Sequence, residues 1–179
     1  MPIQTPICDF GQKAYNFELK STDNKILSLN DVKGENGTLI MFICNHCPYV
    51  KAVTKDIVED CNELKKIGIN SVAICANDAE NYPEDSFDNM IEFAKKNKFS
   101  FPYLNDVKGE NGTLIMFICN HCPYVKAVTK DIVEDSKKLI PVRDGDSDLL
   151  KAMIQIAETN KGPENQIPSA GCGIKWKTN

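Results

Sequence analysis

Two cysteines separated by two residues, Cys44 and Cys47, carry the most reactive chemistry in this chain, with His46 between them and Pro48 directly after. That spacing lets two thiols approach closely enough to form and break a disulfide, and a proline in the next position suits the first turn of a helix. The thiolate is the reactive form, and a cysteine near its reference pKa of about 8.5 is mostly protonated at neutral pH. A helix start supplies unpaired N–H groups and partial positive charge, both of which favour the anion. On this reading Cys44 is the attacking nucleophile, Cys47 is the resolving thiol, and a protonated His46 tunes the thiol pKa. The plainer alternatives are two buried core cysteines and a solvent-facing histidine.

Elements around the motif are the right ones to mount it. The stretch 38–44 is apolar on both faces, which predicts a central strand covered on both sides. From Pro48 onward, Val50, Val53, Ile57, Val58 and Leu64 recur at helical spacing. A second buried strand is predicted over 67–75, a loop over 81–85, a helix capped by Ser86, and a short extended piece over 101–104. Two short strands are expected at 14–20 and 25–29, and a helix over 148–159 with Leu149, Leu150, Met153, Ile154 and Ile156 as its apolar face. Strand, helix, strand, helix, strand implies a parallel α/β sheet. The tail from 161 is expected to be irregular, with Trp176 as its anchor.

One feature is rare in a chain of this kind. Residues 29–60 recur without a substitution as 104–135, so that Cys119, His121 and Cys122 repeat the first motif as a second candidate dithiol. Two identical segments compete for one place in a sheet, which predicts a domain-swapped or edge-paired homo-oligomer.

Bulk properties narrow the setting. A length of 179 residues suits a single domain, 1–179, with a full-sized core. A formal net charge of -4 argues against nucleic acid as partner. No apolar run has the length of a membrane span, and residues 1–9 have neither the basic start nor the apolar core of a signal peptide. A cytoplasmic location is the resulting expectation. There thiols are kept reduced, so eight cysteines read as catalytic, metal-binding or core residues before structural disulfides. Cys8, Cys61 and Cys75 are most simply small apolar residues, and the acidic run 80–85 a solvated loop.

Three strings together resemble the thioredoxin-like superfamily, in the branch of alkyl hydroperoxide reductase and thiol-specific antioxidant proteins. They are FICNHCPYVK at 42–51, NDAENYPEDS at 77–86 and PSAGCGIKWK at 168–177. The resemblance implies a thioredoxin-like three-layer α/β sandwich, a central mixed sheet flanked by helices. It implies a thiol–disulfide oxidoreductase acting on protein or small-molecule disulfides, recharged by a dithiol reductant, without cofactor or metal. It covers residues 1 to about 104 and about 136 to 178. Relatives continue after 101–104 with a helix and a strand bearing a Cys-Thr-Pro motif, and the second copy stands in that place. Cys172 matches a tail cysteine of the family.

Two other chemistries fit the same residues. Peroxiredoxin-like thiol peroxidases place a reactive cysteine before a proline at a helix start, a part Cys47-Pro48 could fill. They also use a threonine three residues earlier and an arginine, whereas Cys44 holds the first position here and the chain's one arginine is Arg143. Alternatively, both Cys-x-x-Cys pairs with His46 and His121 could hold a structural zinc.

Overall fold

The period-2 and period-3.6 patterns fold largely where they are read. The computed structural model describes residues 2–4, 14–106, 147–159, 161–163 and 170–172. Strands β2 (Glu18–Ser21) and β3 (Ile26–Ser28) form an antiparallel hairpin with Leu19 opposite Leu27. Asn24 takes the left-handed turn position with φ 61°, a conformation asparagine tolerates. A single helical turn, α1 (Leu29–Val32), leads to β4 (Gly37–Phe42), α2 (Pro48–Lys66) and β5 (Ile69–Cys75). Gly68, with φ 77°, reverses the chain between α2 and β5, where a residue with a Cβ would be strained. A 3-10 turn (Pro83–Asp85), α3 (Phe87–Lys96) and β6 (Tyr103–Asn105) follow, then α4 (Asp148–Thr159). Near the ends, β1 (Pro2–Gln4) pairs antiparallel with β7 (Ala170–Cys172).

The main sheet has five strands in the order β3-β2-β6-β5-β4. β4, β5 and β6 are parallel, with Ile40 beside Val72 and Ile74 beside Leu104. β2 joins β6 antiparallel, so the sheet is mixed rather than purely parallel. The result is a thioredoxin-like α/β architecture, a mixed sheet flanked by helices.

Alternate residues of each strand serve opposite faces. Leu39 and Met41 of β4 pack with Leu64 of α2, Met90 of α3, Tyr103 of β6 and Met153 of α4. Ile40 and Phe42 turn the other way, to Phe17, Val32, Val72, Ile74 and Leu104. Thus β4 is doubly covered, as its apolar run predicts. It is not central among the described residues, where it pairs with β5 alone. A doubly apolar run reports covered faces and carries no information about covered edges. The hydroxyl of Ser86 makes no capping bond to α3, although its carbonyl accepts from Met90 N–H.

Cys61 and Cys75 are buried in the core, as expected for small apolar residues. Cys119, His121, Cys122, Arg143 and Trp176, on which several expectations rest, lie outside the described residues. Among the described residues no helix is long and apolar enough to cross a membrane.

Candidate active site

The two thiols sit where β4 hands over to α2. The ladder extends one step past the strand, Ile43 N–H donating to Ile74 carbonyl at 3.1 Å. Cys47 is the N-cap of α2 and Pro48 its first residue, and the Cys47 carbonyl accepts from Lys51 N–H at 3.0 Å to close the first turn. Between them the chain runs through Cys44, Asn45 and His46. Cys44 is half-buried, whereas Cys47 is only 3% exposed. The thiols share a hydrogen bond, and the Cys47 N–H also donates to the Cys44 sulfur. The structure therefore brings together the two residues the spacing singled out.

What anchors this short loop comes from far along the chain. Asp85, at the end of the 3-10 turn, is 1% exposed. Its Oδ1 accepts from the backbone N–H of Asn45 at 2.8 Å and of His46 at 3.3 Å. Its Oδ2 accepts from Asn77 Nδ2 at 2.7 Å and lies 2.6 Å from His46 Nδ1. A buried carboxylate is costly unless its lone pairs are satisfied, and four partners meet that demand. Asn45 is fixed in turn, its Nδ2 donating to Glu84 carbonyl at 3.0 Å and its Oδ1 accepting from Tyr103 Oη at 3.0 Å. His46 stacks on Tyr82, ring centroids 5.7 Å apart and 13° from parallel.

The acidic run 80–85 is thus not simply a solvated loop. Glu80 and Glu84 are exposed, but Asp85 is the hub of the site. Composition hides this because a carboxylate reads as solvent-facing until its donors are known. The available signal is that Asp85 falls inside NDAENYPEDS, one of the three strings carrying the resemblance.

The electrostatics depart from the simple picture of a helix start. The hydrogen bond with the Cys47 thiol raises the Cys44 pKa well above the ordinary range, burial raises it further, and the charge of Asp85 adds to both. The Cys47 N–H opposes them and is outweighed. The lowering expected from the helix N-terminus is therefore overcome by neighbours. The His46 Nδ1 faces Asp85, which assigns the proton to that nitrogen by the carboxylate opposite it.

Behind the loop, burial pushes the Cys75 thiol up to about 11 and the Tyr103 phenol well above its ordinary value. Both remain protonated, so Tyr103 keeps the hydrogen with which it holds Asn45. Among the described residues, Cys44, His46 and Asp85 also bring one metal-ligating atom each within 4.8 Å of one another.

Comparisons with known proteins bear on the family and the fold. The AhpC/TSA family matches residues 10–113. An uncharacterized conserved protein from Geobacillus kaustophilus is 30% identical, covering 100% of this chain and 98% of its own, with a TM-score of 0.75. A hypothetical protein from Sinorhizobium meliloti 1021 is 22% identical over 98% of this chain and 99% of its own, with a TM-score of 0.76, a likeness of fold. No curated protein matches the chain.

Proposed function

The chain belongs to the AhpC/TSA family, a thioredoxin-like redox family, and on that premise we propose that it is a thiol–disulfide oxidoreductase using Cys44 and Cys47. The observation that carries this is the thiol pair at the start of α2, joined by a hydrogen bond, with half-buried Cys44 ahead of fully buried Cys47. The more accessible sulfur suits attack and the enclosed one suits resolution.

In the proposed reaction the Cys44 thiol gives its proton to solvent and attacks one sulfur of a substrate disulfide. A Cys44–substrate bond forms, the substrate S–S bond breaks, and the departing thiolate takes a proton. Cys47 then loses its proton and attacks the Cys44 sulfur, which releases the second substrate thiol. The substrate is reduced by two electrons and the protein ends as a Cys44–Cys47 disulfide. A dithiol reductant restores it, and the cytoplasm, where such reductants are abundant, is the proposed setting. The raised pKa of Cys44 slows the first step at neutral pH, but the thiolate, once formed, is a stronger nucleophile than a low-pKa one.

Asp85 and its donors hold the loop so that the two sulfurs stay paired while partners change. His46, stacked on Tyr82 and held by Asp85, is proposed to tune the site through its charge state.

Reduction of insulin disulfides by dithiothreitol tests the proposal. The protein accelerates the reaction, Cys44→Ser lowers the rate about 100-fold or more, and Cys47→Ser accumulates a mixed disulfide on Cys44 visible by mass. A Cys44→Ser variant with full activity rejects the assignment. Peroxide reduction is the second reading, favoured by the placement of Cys47 before Pro48 at a helix start. Peroxide consumption lost in Cys47→Ser and kept in Cys44→Ser would establish it in place of the first.

A further inference from the structure

The same loop presents a second chemistry. Cys44, His46 and Asp85 offer sulfur, nitrogen and oxygen donors that all lie within 4.8 Å of one another. Thiolate, imidazole and carboxylate together suit a borderline divalent cation such as zinc, whereas a hard ion such as magnesium would not take the sulfur. In a tetrahedral zinc site the donors stand about 3.4 Å apart, so the 2.6 Å His46 Nδ1–Asp85 Oδ2 contact must open while the wider pairs, none beyond 4.8 Å, close. His46 can supply that movement, being 27% exposed at its side chain, by giving up its bond to Asp85 and sliding on the Tyr82 ring.

The surroundings resemble those of a prepared site. Ligating carboxylates are themselves oriented by outer hydrogen bonds, and Asp85 has three besides that with the His46 ring: from the backbone N–H groups of Asn45 and His46, and from Asn77 Nδ2. Among the described residues its ion-pair partner is His46, and its carboxylate lies within 4.8 Å of the Cys44 sulfur. Three protein ligands leave a fourth position, which water or the Cys47 sulfur, hydrogen-bonded to that of Cys44, can fill.

We propose that the reduced protein binds one zinc-like cation through Cys44 Sγ, a His46 ring nitrogen and the Asp85 carboxylate, and that the ion and disulfide exchange exclude each other. On binding, the Cys44 thiol proton leaves to solvent and a metal–sulfur bond replaces the S–H bond, while the proton on His46 Nδ1 moves to Nε2 through solvent and the ion takes the place of the His46–Asp85 hydrogen bond. When Cys44 and Cys47 form a disulfide, Cys44 has no thiolate to donate and the ion is released. The exclusion half rests on the disulfide-exchange reading; the binding half does not.

Cobalt(II) is the probe, titrated without oxygen into chelator-treated, fully reduced protein. One equivalent is expected to give the visible bands of a tetrahedral site and a near-ultraviolet sulfur-to-cobalt charge-transfer band, both displaced by zinc. Cys44→Ser removes the charge-transfer band, and Asn77→Ala weakens binding about 10-fold to 100-fold. His46→Gln weakens it similarly at a half-buried position, with folding checked by circular dichroism, so the test survives if Asp85→Asn misfolds. The double variant Cys119→Ser, Cys122→Ser keeps one equivalent and the same bands. Disulfide-oxidised protein shows none. A missing charge-transfer band, unchanged affinity in His46→Gln, or a stoichiometry that follows Cys119 and Cys122 overturns the proposed site. Insulin reduction measured on metal-free protein separates the two ideas: its absence rejects the oxidoreductase and leaves the cobalt spectrum to decide the metal site. Insulin reduction that continues at full rate with one zinc bound rejects the exclusion.

Discussion

Leu29-Asn30-Asp31 and Leu104-Asn105-Asp106 are the same three residues, opening the two identical segments of this chain. The first triplet lies in helix α1, while Leu104 and Asn105 close strand β6. The residue before each decides. Ser28 donates its N–H to the Asp31 carboxylate at 2.8 Å and its hydroxyl to the same oxygen, which closes a capping box and starts the helix. Tyr103, fully buried, continues into Leu104 and Asn105, which pair with β2 on one side and β5 on the other and so stay extended. Both leucines reach the same apolar cluster, Leu104 from inside it and Leu29 from its rim. Identical local sequence thus yields two backbones that serve one core, because a three-residue segment has too little intrinsic preference to resist its neighbours.

The largest effect expected from this difference comes from making one substitution twice. Leu104 is 0% exposed and Leu29 only partly buried. Leu104→Ala should cost about 2–5 kcal/mol and Leu29→Ala about 1 kcal/mol. Urea unfolding measures both. Equal losses would mean that the two contexts are not distinct in energy.

A second comparison uses the position after each copy, where Cys61 stands in the first and Ser136 in the second. Burial pushes the Cys61 thiol up to about 11. A thiol whose folded pKa is raised contributes stability that is complete below its unfolded value and is lost as pH climbs through the folded value. Between about pH 8 and pH 11 the protein should therefore lose about 2 kcal/mol more than Cys61→Ser does. Parallel pH curves for the two proteins would show that the thiol is not enclosed.

Smallest of the three is the cap itself. Ser28→Ala should lower stability by less than either change above, and Asp31 explains how to see it. Its carboxyl is held below the usual range by hydrogen bonds from Ser28. That contribution is present above the ordinary carboxylate value and disappears as pH falls through the lowered one. The difference between wild type and Ser28→Ala should accordingly vanish in acid, and a difference that persists there would assign the effect to something other than the capping box.

By itself the sequence located the dithiol, the strand before it, the helix after it and the boundaries of the helix over 148–159, since each follows from residue type and period along a continuous stretch. The strings at 42–51 and 77–86 also pointed to the redox family. Tertiary structure alone decided that Asp85 grips the loop of Asn45 and His46 from 40 positions away, that the hairpin makes the sheet mixed, and that β4 has β5 on one side only among the described residues. It also reversed the expected direction of the Cys44 pKa. The physical reason is the same in each case. Periodicity encodes which face of an element is covered, but burial, hydrogen bonding and charge at a site depend on what arrives there from elsewhere in the chain.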